Sequence, residues 1–542
     1  MPLLSDVFLF TQNFVQSYYS GSHLIKIQKA LEELLESSFF ITPLQNVTHN
    51  LTFEEFLTEL SNLSEDTSSR KLKGVFYTNN DITNFIVKNV LANYFDNDID
   101  ILIKHEDVDK RELLKLVNLT CFDPTCGSAQ FLIAYTQFVL NRYKNISDDL
   151  VVKMSKNIFG NDICAESVLI SKLRLFFLLI NKVSNTNRYI EIAQNLKKNF
   201  FCFDFVISPP IQIKKKFDII IGNPPYVESR CLPVQPVKKF GNTYANVLDN
   251  IEPFSKNNTV ISFVLPISFI STPRMKKIRS LIFEKYKKCF LINFSDRPDS
   301  LFRDAHQKLT IIIGTKRSIK SSGIYSSTYN YWYKNERSNL FNQLNLYKLT
   351  NYFDTFIPKI GTSIEQNIFN KVVFTNDCSL LDKLNSKNND SLPLYLNQRA
   401  TFWIKAFSFN PGSKEYKLYR INNDEYSYVY CLLNSSLFFM FWIIVSDCWH
   451  ITNKELSLIK LPKISNENQK KFTNLYIELE QKLEKTKEHI GSKQVQFEYK
   501  HKKCKEVIDK IDKLLANIYH LTNEEHNFVI SYKDKYRLNN EK

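Results

Sequence analysis

The sequence predicts an α/β protein: a mainly parallel, Rossmann-like sheet covered by helices on both faces, preceded by a helical segment and followed by a separate domain. Three observations carry this. Between about 117 and 315, short apolar runs alternate with longer stretches of helical periodicity, the pattern of strand–helix units in a parallel sheet. Several runs end on polar residues, with VNLTCFD closing on Asp123, NIFGND on Asp162 and FDIIIGN on Asn223. After about 330 the alternation stops, and aromatic and polar residues mix, as in SSTYNYWYKN.

Taken in order, residues 1–70 read as helical. In HLIKIQKALEELLESSFF, the residues Leu24, Ile27, Leu31, Leu34 and Leu35 fall at helical spacing. The next region, 71–325, is the sheet domain. It opens with FYTNNDITNFIVKNVLANYF, where Asn80 or Asp81 caps a helix whose inner face holds Ile82, Phe85, Ile86 and Val90. Then come VNLTCFD, the helix AQFLIAYTQFVLNRY, NIFGND, the helix AESVLISKLRLFFLLINKV, FFCFDFVI, FDIIIGN, VISFVLPIS, a helix from Arg274 to Tyr286, CFLINFS and KLTIIIGTK.

Residues 326–465 read as a second domain. Its most apolar segment, Tyr428 to Val445, is barely long enough to span a bilayer and is interrupted by Asn434, Ser435 and Ser436. A buried helix or helix–turn pair is expected. Residues 466–542 read as a helical hairpin. One stripe is Leu475, Leu479 and Leu483; the other is Val507, Ile508, Ile511, Leu514, Leu515 and Ile518. Helices are expected from Asn466 to Lys487 and from Phe497 to Leu521, with GSKQ between them.

Composition narrows the function classes. Of the 542 residues 44% are hydrophobic and 23% charged, so the chain folds rather than staying disordered. A formal charge of +15 suits a polyanionic partner, although an AT-rich coding bias would raise the lysine count too. Ten cysteines include no C-x-x-C pair, which argues against a zinc ribbon or disulfide framework and for reduced, buried thiols such as Cys121, Cys289 and Cys431. The opening MPLLSDVFLFTQNF has no basic leader and contains Asp6, so no signal peptide is expected. There is no G-x-x-x-x-G-K-[ST] loop for an ATP-driven translocase. No nuclease constellation stands out, and about 70 residues before the sheet are too few for a typical fused nuclease.

The strand ends carry the chemistry. In Phe122-Asp123-Pro124-Thr125-Cys126-Gly127-Ser128-Ala129, Asp123 suits a ligand ammonium, and Gly127 lets backbone approach a ligand; an ordinary turn reads the same way. Asp162 in Gly160-Asn161-Asp162 can accept two ribose hydroxyls or cap the helix from Ala165. Asp204 in FCFDF can accept an adenine amino group or simply sit in a solvated loop.

The most telling stretch is Phe217 to Tyr226, a buried-type strand ending in Asn-Pro-Pro-Tyr. The adenine amino group is a poor nucleophile because its lone pair is shared with the ring. Two fixed oxygen acceptors, the Asn223 side-chain carbonyl and the Pro224 backbone carbonyl, would localise that pair. Pro224 and Pro225 lock φ and offer no competing N–H. Tyr226 can stack on an extracted base, worth about 1–3 kcal/mol.

This ordered series resembles the gamma-class N6-adenine DNA methyltransferases of restriction–modification systems. GVFYT at 74–78, FDPTCGSAQFL, GNDI, FDF and GNPPY are similar to the family's cofactor and catalytic motifs, in the family's order. The resemblance implies an S-adenosylmethionine-dependent methyltransferase sheet. It implies that Tyr77, Thr78, Asp123, Pro124, Cys126, Gly127, Asp162, Ile163 and Asp204 hold S-adenosyl-L-methionine. It implies that Asn223, Pro224, Pro225 and Tyr226 act on the adenine, that Phe302 is a second aromatic on the flipped base, and that no metal is needed. The sequence departs from the pattern at Asn79, where proline is usual, at Ala129, where glycine is common, and at Cys164, where an acid is common.

More weakly, YLNQRATFWIKAF and neighbouring phrases resemble the target-recognition region of related modification enzymes, so 326–465 is expected to read DNA. The implied partners are double-stranded DNA and a separately encoded cognate restriction endonuclease, with no membrane, in the cytoplasm at the nucleoid. Arg399, Phe402, Trp403 and Lys405 suit DNA contact or a plain surface, and His450 is expected to be structural. Two other readings stay open: a modification subunit of a larger restriction or defence complex, and methylation of a protein glutamine.

Overall fold

The computed structural model describes residues 4–36, 51–63, 78–95, 110–143, 145–210, 212–236, 238, 240–302, 305–316, 323–489, 491 and 497–539. It divides into two compact units. The first comprises Met1–Phe269, Arg274–Leu291 and Ser300–Ile324, and the second Ile270–Pro273, Ile292–Asp299 and Tyr325–Lys542.

In the first unit the apolar runs become strands β1 (Cys121–Asp123), β2 (Ile158–Asp162), β3 (Phe200–Cys202), β4 (Phe217–Gly222), β5 (Ser255–Pro266), β6 (Lys288–Phe294) and β7 (Leu309–Thr315). Their order in the sheet is β3-β2-β1-β4-β5-β7-β6. The pairs β1·β2, β2·β3, β1·β4 and β4·β5 are parallel. KLTIIIGTK departs from this: β7 runs antiparallel to β5, with Phe263 opposite Ile312. The chain runs outward through β2 and β3, then crosses back to place β4 on the other side of β1. That reversal is the switch point where open parallel sheets leave a crevice.

Every residue of β1 and β4 is buried, as continuous apolar strands covered on both faces must be. Helix Asn80–Tyr94 forms where expected, with Ile82, Phe85, Ile86 and Val90 buried. The N-terminal helices Leu4–Tyr18, Gly21–Leu35 and Phe53–Asn62 are part of this unit rather than an appendage. Thr52 and Glu55 close a capping box on the third. Phe14 stacks on Phe56 at 3.7 Å between centroids, and Phe56 meets Phe177 edge-on, which docks these helices on helix Ala165–Ile180.

The second unit holds strand β8 (Gly323–Asn330), antiparallel to β9 (Leu346–Lys348), and a three-stranded antiparallel sheet of β10 (Leu392–Asn397), β11 (Ala406–Phe407) and β12 (Tyr416–Ile421). The apolar segment is a helix–turn pair, Asn423–Leu433 and Ser436–Val445, bent by 68° and buried throughout its second helix. Among the described residues no single helix is long and apolar enough to cross a membrane.

Helices Asn466–Thr486 and Lys505–Ile518, followed by Asn523–Ile530 and Asp534–Arg537, belong to this same unit. The expected hairpin is therefore not a separate body: Leu479, Leu483 and the whole second stripe are buried within the unit, while Leu475 is half-buried. The second helix starts at Lys505, not Phe497: Phe497–Glu498 pairs antiparallel with Glu488–His489, and His501, in a 3-10 turn to Cys504, is buried and tied to the Asn434 side-chain oxygen at 3.1 Å. Most of GSKQ lies outside the described residues.

Phe402 and Trp403 are half-buried: the Phe402 ring lies 5.7 Å from Tyr331, and Arg537 lies 4.0 Å from the Trp403 ring. Arg399 stays exposed. His450 pairs with Asp447 at 2.7 Å.

Candidate active site

The switch point brings the ends of β1 and β4 side by side, with Cys121 opposite Ile219 and Phe122 opposite Ile220. Beyond them, the loops after β1, β2, β3 and β4 enclose a cavity of about 550 Å³. Thr125, Gly127, Asn161, Asp162, Ile163 and Glu166 line one side, Phe203, Asp204, Phe205 and Val206 another, and Asn223, Pro225, Val227 and Thr243 the third.

Asp123 sits beneath this wall and is buried. Burial pushes its carboxyl well above the usual carboxylate range; the Thr125 amide, donating at 3.0 Å, opposes this, and the nearby Asp162 carboxylate adds to it. Gly222 makes the arrangement possible: a Cβ there would stand 2.7 Å from the Asp123 Oδ1.

Asp162 is committed at both oxygens. Oδ2 accepts the Gly127 amide and Oδ1 the Cys164 amide, each at 2.9 Å. It thus caps the loop that it was expected to serve, while still lining the cavity. Gly127 has φ +53, which favours glycine, and open space where a Cβ would go, at the cavity wall. Ile163 is 66% exposed at the cavity wall, an apolar surface suited to a flat ring. Asp204 is exposed beside it, with Oδ1 accepting the Val206 amide at 3.0 Å.

Asn223 is half-buried. Its Nδ2 donates to the Thr78 Oγ1 at 3.2 Å, and its Oδ1 accepts from the Tyr226 hydroxyl. That hydroxyl also reaches the Val264 carbonyl at 2.9 Å, which anchors the Tyr226 ring. Burial holds the phenol above its ordinary range, so it stays a donor. The Pro225 carbonyl accepts from the Thr243 hydroxyl, which in turn accepts the Val227 amide. Among the described residues no donor engages the Pro224 carbonyl.

Not every expected residue gathers here. Gly127, Asp162, Ile163, Asp204, Asn223 and Pro225 line the cavity; Thr78, Asp123, Pro124, Cys126, Pro224 and Tyr226 do not. Pro124 offers its carbonyl to the Asn161 Nδ2 at 2.9 Å. Cys126 is buried with its thiol 3.6 Å from the Ser171 hydroxyl. Phe302 is 1% exposed and outside the lining. Tyr77 lies outside the described residues.

Sequence reasoning missed Asn161, Thr243 and Gly222. Asn161 is fully buried and donates to the Pro124 and Phe203 carbonyls, tying the loops after β1 and β3 across β2. The signal was present: an asparagine inside an otherwise apolar strand needs partners.

Residues 156–301 match the family model described as Eco57I restriction-modification methylase. No curated protein matches the chain. Among solved structures, the type IIL restriction-modification enzyme MmeI in complex with DNA is similar at 13% identity, over 97% of this chain and 92% of that one, with a TM-score of 0.54. The type IIG restriction endonuclease BpuSI is similar at 12% identity over 98% and 77%, with a TM-score of 0.43. The DrdV–DNA complex is similar at 13% over 72% and 44%, with a TM-score of 0.44. The fold is thus that of MmeI, and the stretch that matches the restriction-modification methylase model, residues 156–301, carries Asp162, Asp204 and the Asn-Pro-Pro-Tyr turn.

Proposed function

We propose that the chain is a site-specific DNA methyltransferase that moves a methyl group from S-adenosylmethionine to N6 of an adenine flipped out of duplex DNA. The observation that carries this is that Asn223 stands in the wall of the same cavity as Asp162, Ile163 and Asp204. One cavity then serves both a nucleoside cofactor and an amine acceptor.

The donor set fits the cofactor. Asp123 and Asp162 favour its positive charges, Asp162 and Asp204 supply acceptors for a ribose and an amino group, and Ile163 and Phe203 supply apolar surface. When bound, S-adenosylmethionine supplies an electrophilic sulfonium methyl. The chain's own part is to prepare the nucleophile. The Asn223 Oδ1 and the Pro224 carbonyl accept the two N–H bonds of the amine and localise its lone pair. The anchored Tyr226 ring offers a stacking face, which offsets the few kcal/mol needed to extract a base. Phe302 is buried outside the lining, so the base contact expected of it has no support in the cavity.

MmeI, whose fold the chain shares, is solved with DNA, and the net charge of +15 suits that partner. On this reading residues 71–325 carry the chemistry and 326–465 read the target, with 466–542 as helices after it, a cognate endonuclease encoded separately and the cytoplasmic nucleoid as the place of work.

Purified protein incubated with duplex DNA and methyl-labelled S-adenosylmethionine is expected to leave label in N6-methyladenine after digestion. Protein that binds the cofactor yet leaves none there defeats the reading. Asn223→Ala is expected to lower turnover at least about a thousandfold, with cofactor affinity unchanged within about threefold; undiminished turnover overturns the role of Asn223.

A further inference from the structure

Asn161 lies in β2 with no exposed surface, and its side-chain amide serves two loops at once. The Nδ2 donates to the Pro124 carbonyl at 2.9 Å, in the loop after β1, and to the Phe203 carbonyl at 3.1 Å, in the loop after β3. We infer that Asn161 is a positioning residue that sets the spacing between the two ends of the cofactor site. The inference rests on the reading of this cavity as the seat of S-adenosylmethionine, and deepens it.

Both partners are carbonyl oxygens, which only accept, so the nitrogen end of the amide is the end that faces them. Because the two bonds meet at one nitrogen, the two oxygens stand no more than about 6 Å apart. The tie falls where backbone pairing ends. Pairing of β1 with β2 stops at Asp123 and Gly160, and pairing of β2 with β3 stops at Cys202 and Asp162. Beyond those pairs the Asn161 carbonyl accepts the Cys126 amide at 2.8 Å, and the Asp162 carbonyl accepts the Phe203 amide at 3.2 Å. The Asn161 side chain adds the link that joins one loop to the other. A serine or threonine hydroxyl has one proton and an ionised aspartate none, so neither can hold both carbonyls. The Asn161 Oδ1 is buried without a partner, a cost in stability that an apolar side chain would not carry. What the amide gains at this position is the tie.

The two loops form different parts of the wall. Thr125 and Gly127 enter it from the loop after β1, and Phe203 to Val206 from the loop after β3, with Asp162 and Ile163 between them. On the cofactor reading the nucleoside meets Asp162, Ile163 and Asp204, and the amino-acid end meets the loop after β1. A ligand held by one part alone is indifferent to their separation. A ligand that spans both binds best when the separation is already set to its length. Asn161 is part of the wall but has no exposed surface, so it acts through the two loops that it holds.

The test compares S-adenosylhomocysteine, which spans both loops on this reading, with methylthioadenosine, which keeps the nucleoside and the sulfur and lacks the amino acid. Their Kd values are measured by titration of the full chain, for the parent and for Asn161→Thr and Asn161→Leu, with urea unfolding as the check on folding. Asn161→Thr keeps one hydroxyl proton, and so one of the two bonds, on a side chain that suits a strand. It is expected to weaken S-adenosylhomocysteine about tenfold, the size of one lost hydrogen bond, and methylthioadenosine by less than about twofold. Asn161→Leu, which has no donor, is expected to widen that gap; should it not fold, Asn161→Thr decides alone. Weakening of methylthioadenosine by as much or more, as a general loosening of the fold gives, would overturn the inference, and so would unchanged S-adenosylhomocysteine binding. The failures are separable: a parent protein that binds neither ligand sinks the cofactor reading, whereas a parent that binds both, beside variants with the same ratio of Kd values, sinks this inference alone.

Discussion

Buried polar groups do different work in the cavity wall of the first unit and in the helical core of the second. In the second unit several buried charges are answered by their own chain, although orphaned atoms such as the Glu425 Oε2 and the Asp534 Oδ1 occur there too. Lys359 is fully buried and donates to the Ile444 and Ser446 carbonyls. Glu365 accepts from the Gly361 amide and the Thr328 hydroxyl. Asp512 accepts the Ser436 and Leu437 amides at the start of the apolar helix Ser436–Val445. Around the cavity the accounting does not close: the Asn161 Oδ1 and the Thr125 Oγ1 are buried without partners, and Asp123 faces another carboxylate. Burial of a charge is therefore no mark of function by itself. The mark is a polar group whose partners run out at a cavity wall.

The largest expected effect that tests this contrast comes from Arg537, a side chain 2% exposed. It lies over Trp403 and Phe439 at 4.0 and 4.3 Å and donates to the Phe402 carbonyl at 3.2 Å and the Ser436 hydroxyl at 3.2 Å. Its charge also offsets that of Asp512. Arg537→Met is expected to cost about 3 kcal/mol of stability in urea unfolding, because it leaves buried acceptors and a carboxyl without their cation. Cofactor affinity is the control and is expected to hold. Intact stability with lost cofactor affinity would break the comparison.

A smaller effect sharpens it through pH. Burial lowers the His501 pKa to about 3, with the positive charge of Lys405 adding to the shift. The folded state thus holds this imidazole neutral while the unfolded chain takes up a proton below about 6.5. Stability from this group is full above pH 6.5 and declines as pH falls toward 3. Between pH 6.5 and 5 the loss is expected to be about 1.5 kcal/mol. His501→Gln should flatten that slope while lowering stability at pH 7; an unchanged slope would mean that His501 is not buried neutral.

The same contrast explains what was legible in the sequence. The sheet was readable because its strands are continuous apolar runs ended by polar residues, and the Asn-Pro-Pro-Tyr turn announces its own geometry. The inner face of helix Asn80–Tyr94 and the buried stripe of Lys505–Ile518 followed from spacing alone. What stayed hidden depends on partners far away in sequence. Thr78 meets Asn223 across 145 positions, and Asn161 meets Pro124 and Phe203 from neighbouring strands. The antiparallel β7 was hidden for the same reason, since an apolar run carries no sign of its direction. The start of helix Lys505–Ile518 was hidden because His501 binds a residue 67 positions away.

The smallest effect concerns one loop with two left-handed residues. Gly127 has φ +53 and Ala129 has φ +66, yet only the first is glycine. An L-residue in this conformation costs about 1–2 kcal/mol. At Ala129 the cost is partly offset, because its methyl is fully buried, worth about 0.8 kcal/mol, and because glycine would gain freedom in the unfolded chain. Ala129→Gly is therefore expected to shift stability by less than about 0.5 kcal/mol. Cofactor affinity should stay the same, since Ala129 is not part of the lining. A gain well above 1 kcal/mol on thermal unfolding would show that the alanine is held under strain; the cavity loop would then store energy of its own, and the line between a wall built for a ligand and a core built for stability would have to be drawn through Ala129 as well.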